Sequence, residues 1–280
     1  MKKAVIIPNN TKDVELRVTG AVVQKLESLG ISVHIKSDFT VDEASSASEN
    51  FPIDADVIIV VGGDGSVLDA AKYSYQYCIP ILCVNLGKVG YLSEIEPDSL
   101  DTLDALITGD YFLDEKMMLE VSYVGCGGNI SRYAVNDIVV SHDTYLGIAN
   151  IYLEDSAGNS INYRADGLIV ATPLGSTAYS LSAGGPVVAH DVESIIVTPV
   201  CAHSFFNRSV LFNSADEIKL KNVNNDILKV SADGRLSFEL APGESATVKR
   251  AKSGLRMISF SKNSMFSNLF KKMRMLEDKN

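Results

Sequence analysis

The sequence predicts an N-terminal doubly wound α/β domain followed by a β-sandwich or related all-β domain. Strand and helix signals alternate over the first hundred residues, the pattern of a parallel sheet covered by helices. Near Gly109 the texture changes to short β-rich segments separated by turns. Length and composition agree with both domains. The 280 residues admit one large domain or two ordinary ones, and 46% hydrophobic against 21% charged residues supplies a sizeable core and excludes global disorder. The expected domains are 1–108 and 109–261.

Taken in order, Ala4–Ile7 is a short apolar run and reads as the first strand. Val14, Val18, Val22, Leu26 and Leu29 recur at helical spacing, with Gly30 as the stop. Residues 31–35 alternate as a strand. Asp56–Val61 is an uninterrupted Val/Ile run, as in a parallel strand covered on both faces. Val67, Ala70, Ala71 and Ser74 suit a following helix, and Pro80–Val84 is another buried strand. Leu100, Leu103, Leu106 and Ile107 make a further amphipathic helix with Asp98 as its N-cap. Beyond Tyr111, turns are expected at Gly125–Asn129, Ala157–Asn159, Asn224–Asp226, Asp233-Gly234 and Pro242-Gly243. Phe266, Leu269, Phe270, Met273 and Leu276 form a final helical stripe behind Asn263 or Ser264, read as a helix docking on a core.

Twenty-five Lys and Arg against 35 Asp and Glu give a net charge of −10, which disfavours generic binding to nucleic acid or anionic membrane. The four cysteines (Cys78, Cys83, Cys126, Cys201) fit no zinc pattern and read as buried reduced thiols of a cytoplasmic protein. Residues 167–189 carry no charge, but four glycines, two prolines and five Ser or Thr residues exclude a plain lipid-facing helix. Such a run predicts backbone and hydroxyls packed around something small.

Three features carry candidate chemistry. Gly62-Gly63-Asp64-Gly65-Ser66 directly follows the Val/Ile strand and opens a helix. Glycines there allow a ligand close to the main chain, and free N–H groups at a helix start attract phosphate. The motif is neither the G-x-G-x-x-G fingerprint nor a P-loop. Its bland alternative is a tight turn in which Asp64 caps the helix. Asn136-Asp137, before the strand Ile138–Val140, is a pair suited to ribose hydroxyls or an amide, or else a solvated turn. Asp166–Ser180 reads as a strand, a Pro-Gly turn and a short helix starting at Ser176 or Thr177, with Tyr179 offering a stacking face. Its many hydroxyls favour a polar ligand. Alone, Asp233-Gly234 is most simply a hairpin turn. His203 with Cys201 reads as a satisfied core or loop histidine in preference to a metal site, and Lys249, Arg250, Lys252 and Arg256 as a solvated face.

Together these motifs resemble the NAD kinases over nearly the whole chain and in the right order. The resemblance rests on Gly62-Gly63-Asp64-Gly65, residues 84–92, Met118-Leu119-Glu120, Asn136-Asp137, Asp166 to Ser182, residues 201–204 and Asp233-Gly234. The first motif is shared with diacylglycerol and sphingosine lipid kinases and related to phosphofructokinases. The run Asp-Gly-Leu-Ile-Val-Ala-Thr-Pro-x-Gly-Ser-Thr-Ala-Tyr is far more specific.

The resemblance implies Mg²⁺-dependent (or other divalent cation-dependent) phosphoryl transfer from ATP, or polyphosphate, to the 2′-hydroxyl of the adenosine ribose of NAD, giving NADP. It implies a Rossmann-like N-terminal domain completed by a terminal segment at about 262–280, a β-sandwich-like NAD-binding domain, and homodimers or homotetramers. Carried over by position, Asp64 is the proton acceptor and Gly62, Gly63 and Gly65 line the phosphate approach. Asn136 and Asp137 contact NAD, and Arg164 and Asp166 lie near its nicotinamide side, donated across a subunit interface. Thr177, Ala178, Tyr179 and Ser182 form the adenine and ribose pocket, and Gly65, Ser180 and Arg235 join the NAD contacts. No protein metal ligand is assigned. Departures from the family pattern are Ser66 for Thr, Asp137 for Glu, Leu174 for Thr or Ser, Ala202 for Pro and Arg235 for Gln. Two rivals remain: a lipid kinase, which needs an acyl-chain pocket and membrane affinity, and a non-catalytic dinucleotide sensor.

Overall fold

In the computed structural model the described residues are 1–36, 51–87, 90, 92–125, 128–142, 147–203 and 206–260, and they divide into two units. The C-terminal helical stripe and Cys126 lie outside them.

The first unit contains β1 (Lys3–Pro8), α1 (Arg17–Ser28), β2 (Ser32–Ile35), β3 (Val57–Gly62), α2 (Asp64–Tyr77), β4 (Ile81–Asn85), a 3₁₀ turn at Leu100–Asp104, α3 (Ala105–Thr108) and β5 (Phe112–Lys116). Its six-stranded sheet runs β2-β1-β3-β4 and is extended by β18 (Leu255–Ser259) and then β5. The pairs β1–β2, β1–β3, β3–β4 and β4–β18 are parallel. Every residue of β3 and β4 is buried, because helical and loop side chains cover both faces of these strands. Val22 and Leu26 of α1 pack with Ile6, Val57, Ile59 and Leu82 of the sheet, each contributing about 1.5–3 kcal/mol by burial.

Three details differ from the sequence expectation. Helix α1 starts at Arg17, and Val14 is outside it and 77% exposed. The Asp13 carboxylate takes the N–H groups of Val18 and Thr19 at 3.2 and 2.8 Å, so the acidic residue before the apolar stripe decides the start. Asp98 caps nothing: Leu100–Asp104 is a 3₁₀ turn whose N-cap, Ser99, makes no side-chain capping bond, and Ile107 is half exposed. Of the described cysteines only Cys83 is buried, and Cys78 and Cys201 are exposed.

The second unit, Lys116–Gly254, holds β6 (Leu119–Gly125), β7 (Gly128–Ala134), β8 (Asp137–His142), β9 (Ala149–Glu154), β10 (Ser160–Ala165), β11 (Gly167–Ala171), α4 (Tyr179–Ser182), β12 (Ser194–Val200), β13 (Val210–Asn213), β14 (Ile218–Asn222), β15 (Leu228–Ala232), β16 (Arg235–Leu240) and β17 (Ser245–Arg250). Two six-stranded sheets run β10-β9-β14-β17-β6-β7 and β13-β12-β11-β8-β15-β16, with antiparallel pairing. Alternate residues of both sheets, such as Val121, Leu153 and Leu220 from one and Val140, Val170 and Val230 from the other, share a single core, which makes a sandwich. Strand β11 is buried throughout instead of alternating, because Ile169 and Ala171 on its other face pack with Val188, Ile196 and Ala183.

The chain divides at Glu115 and Leu255; the texture change places the first division near 108, and the family resemblance implies the second near 261. Strands β5 and β18 look like all-β segments in sequence but are hydrogen-bonded into the first unit's sheet. Among the described residues no helix is long and apolar enough to cross a membrane.

Candidate functional site

In the first unit the candidate loop sits at the carboxyl ends of the parallel strands. Strand β3 ends at Gly62, Gly63 is the extended N-cap of α2, and Asp64 is the first helical residue. The cap position belongs to Gly63, so Asp64 stands one residue inside the helix and not at its cap. Its Oδ1 instead accepts the Leu92 N–H at 3.0 Å, which turns the carboxylate toward the loop after β4. The backbone packs tightly here. The Leu86 N–H donates to the Gly62 carbonyl at 2.6 Å, and a Cβ on Gly62 would stand 2.5 Å from Ser66 Oγ. Ser66 is itself held by Asn9, whose Nδ2 donates to Ser66 Oγ at 2.7 Å. Gly65 is exposed. In the first turn of this 14-residue helix the Ser66 N–H donates to the Gly63 carbonyl at 2.9 Å, and the helix start lies at the positive end of its dipole, a setting for phosphate oxygens.

In the second unit, Asn136, Asp137, the segment after β11, the β15–β16 hairpin and Arg235 converge on one end of a sheet. Asp137 opens β8 opposite Ala171 at the end of β11, and the Thr172 N–H donates to the Asn136 carbonyl at 2.9 Å. Gly175 packs so closely on Asn136 that a Cβ there would lie 2.0 Å from its carbonyl oxygen. Asp233 closes the arrangement: its carboxylate accepts the N–H groups of Val135, Asn136 and Asp137 at 2.8, 2.7 and 3.2 Å. Arg235 opens β16 two residues later and is half-buried. Burial, and secondarily the negative charge of Asp233, pushes the Asp137 carboxyl up to about 7. Burial raises Asp233 as well, against the pull of its three N–H donors. Both carboxyls therefore hold a proton more readily than an ordinary aspartate does.

The uncharged run does not form one helix. Gly175–Thr177 is a 3₁₀ turn, Ala178 breaks it with φ −97° and ψ −127°, and α4 follows. Its deep hydroxyls are satisfied within the protein. Thr172 Oγ1 donates to the Val135 carbonyl and accepts the Gly175 N–H. Ser176 Oγ donates to the Pro173 carbonyl and accepts the Val188 N–H. Ser180, fully buried, shares a hydrogen bond with Thr198 at 3.0 Å. Thr177 and Ala178 are half-buried, and Tyr179 and Ser182 are exposed, Tyr179 by 46%.

Arg164 and Asp166 are not brought to this place. They flank the start of β11, whose other end meets Asp137, and five residues at about 3.3 Å each separate the two ends by roughly 15 Å. Both are exposed, and His203 Nε2 lies 3.6 Å from Asp166 Oδ1, which gives the histidine its partner. Among the described residues no three His, Cys, Asp or Glu side chains group to hold a metal. Arg250 pairs with Glu193 and Lys249 with Glu217, as a solvated face would.

Two residues were not legible in advance. Asp233 carries only a turn signal, and its reach to amides nearly a hundred residues earlier is a product of the β8–β15 pairing. Lys12 follows β1 in a polar loop, yet its Nζ would lie 2.7 Å from a Cβ on Gly63 and 3.7 Å from one on Gly87, directly over the glycine loop.

Comparison with known proteins covers the same ground. The model of the ATP-NAD kinase N-terminal domain matches residues 9–111, and that of the C-terminal domain matches residues 135–260. The NAD kinase of Lachnoclostridium phytofermentans is 34% identical over 275 residues, covering 95% of this chain and 96% of its own. That of a Thermoanaerobacter species is 35% identical, covering 97% and 98%. Among solved structures, yeast NADH kinase complexed with NADH superposes with a TM-score of 0.83 at 23% identity, over 97% of this chain and 87% of that one. An NAD kinase from Archaeoglobus fulgidus in complex with ATP gives 0.74 at 24% identity, over 98% and 99%. These two structures share the fold.

Proposed function

Because the chain belongs to the NAD kinase family, we propose that it transfers the terminal phosphoryl group of ATP to the 2′-hydroxyl of the adenosine ribose of NAD, giving NADP and ADP. The match of both domain models, in order, is the observation that carries this reading. In the reaction the ribose oxygen forms a bond to the γ-phosphorus, and the bond from that phosphorus to the β–γ bridging oxygen breaks. Asp64 takes the hydroxyl proton. Phosphoryl transfer passes through a loose transition state in which positioning and charge neutralisation dominate, so a weakly basic carboxylate suffices as acceptor. The placement of Asp64 on the glycine loop, as the first residue of α2, supports this role.

Asn136 and Asp137 hold NAD, with Asp233 fixing their backbone and Arg235 beside them. Thr177, Ala178, Tyr179 and Ser182 supply the surface for adenine and ribose, with Tyr179 against the base. Arg164 and Asp166 lie away from these residues in one copy of the chain, which supports a homodimer or homotetramer in which a second copy contributes them. Mg²⁺ would be held largely by the donor's phosphate oxygens and water, with no side chain of this chain assigned as its ligand. When bound with the donor, such an ion neutralises phosphate charge.

The test is to incubate purified protein with ATP, Mg²⁺ and NAD and to detect NADP with an NADP-specific dehydrogenase. NADP is expected. A lipid phosphate from diacylglycerol in its place, or no NADP from ATP or inorganic polyphosphate, overturns the reading. Asp64→Asn is expected to keep NAD binding by calorimetry while turnover falls by about 10²–10⁴-fold. Near-normal turnover removes Asp64 from its role.

A further inference from the structure

We propose that Lys12 binds the polyphosphate of the phosphoryl donor. In an open parallel sheet, ligands settle outside the carboxyl ends of the strands, at the point where the strand order reverses. That point can be read from the topology. The chain passes from β1 to β2 on one side, and all later strands of the sheet lie on the other side, beginning with β3. The crevice therefore opens between the segment after β1 and the segment after β3, which are Asn9–Lys12 and Gly62–Ser66. The structure ties them together: the Asn9 N–H donates to the Val61 carbonyl, and Asn9 Nδ2 donates to Ser66 Oγ. Asn9 also shapes the turn that carries the lysine, since its Oδ1 accepts the N–H groups of Thr11 and Lys12, both at 3.1 Å.

The ammonium ends up where side chains are absent. It lies over Gly63 and close to Gly87, in the space that a Cβ on either glycine would enter. Among the described residues Lys12 Nζ has no hydrogen-bond acceptor, and no carboxylate lies within ion-pair distance. An ammonium so placed, above amides at the start of α2, is set to meet an anion that also meets those amides. A chain of condensed phosphates has the charge and length to do both. The dinucleotide is assigned to side chains of the second unit, so its binding is expected to be independent of this lysine. The inference rests on the kinase reading for its consequence in turnover, but not for the binding itself.

The experiment compares wild type with Lys12→Met, Lys12→Arg and the charge control Lys219→Gln, an exposed strand lysine. Lys12→Met is expected to raise KM for ATP at least tenfold, to leave KM for NAD and NAD binding by calorimetry within twofold, and to abolish measurable binding of inorganic tripolyphosphate. Lys12→Arg restores a substantial part, and Lys219→Gln matches wild type. A KM for ATP and a tripolyphosphate affinity within twofold of wild type in Lys12→Met overturn the proposal, as does an equal loss of NAD binding, which marks a structural role. If wild type makes no NADP, the kinase reading fails, and loss of tripolyphosphate binding in Lys12→Met still decides the role of the lysine.

Discussion

Asp137→Asn tests the buried carboxyl groups most directly. The Asp137 carboxyl stands at about 7 in the folded protein against an ordinary value of 3.8, chiefly through burial and next through Asp233. At about 1.4 kcal/mol for each tenfold change in proton affinity, that rise makes roughly 4 kcal/mol of differential cost for the ionised form. The sign follows from proton counting. Between pH 3.8 and about 7 the folded chain binds more protons at this carboxyl than the unfolded chain, so its contribution falls as pH rises through that window. At pH 8 wild type bears the full cost. The asparagine variant, similar in shape and never ionised, bears none. Thermal or urea unfolding of both proteins at pH 5 and pH 8 isolates this carboxyl with its coupling to Asp233, since every other group is common to both. The variant is expected to gain on wild type by roughly 2–4 kcal/mol between the two pH values. Parallel pH profiles refute the reasoning and show that Asp137 is ionised as freely in the native state as in the unfolded one.

Two further perturbations probe the same end of the sandwich. Asp233→Ala strips the acceptor from three N–H groups and leaves a non-glycine residue at φ 48°. A loss of about 3 kcal/mol and a raised KM for NAD are expected, with Asp233→Asn milder because asparagine keeps one oxygen and tolerates that conformation. Urea midpoints and NAD titrations check both. Gly175→Ala puts a Cβ 2.0 Å from the Asn136 carbonyl oxygen, a backbone atom that cannot swing away. The segment 173–178 must shift, and NAD binding measured by calorimetry is expected to weaken at least tenfold. Unchanged binding means that segment does not position the ligand.

The chemistry legible in the sequence is local chemistry. The Val/Ile run ending in Gly62-Gly63-Asp64-Gly65 announces a buried parallel strand feeding a helix start, and both are present with Asp64 in the first turn. Asn136-Asp137 at a strand edge is legible because polar residues interrupt an apolar strand pattern there. The hydroxyl-rich run is legible as special but not in detail. Its Ser and Thr side chains bond to carbonyls and to one another, partners that no periodicity reveals. Strands β5 and β18 read with the all-β segment for a related reason: a short strand carries the same signal whichever sheet receives it.

What the chain determined by itself was therefore which segments are strands and helices, where glycines let backbone approach, and which acidic and amide side chains stand at their ends. These follow from residue size, branching and hydrogen-bonding capacity within a few positions. Only the tertiary structure decided which of those ends meet. Pairing of β8 with β15 carries Asp233 to three distant amides, the reversal of strand order at β1 and β3 sets Lys12 above a glycine loop, and the length of β11 keeps Arg164 and Asp166 away from Asp137. Each is an arrangement of residues brought together or held apart by strand pairing, and its energy exists only once the sheets have closed.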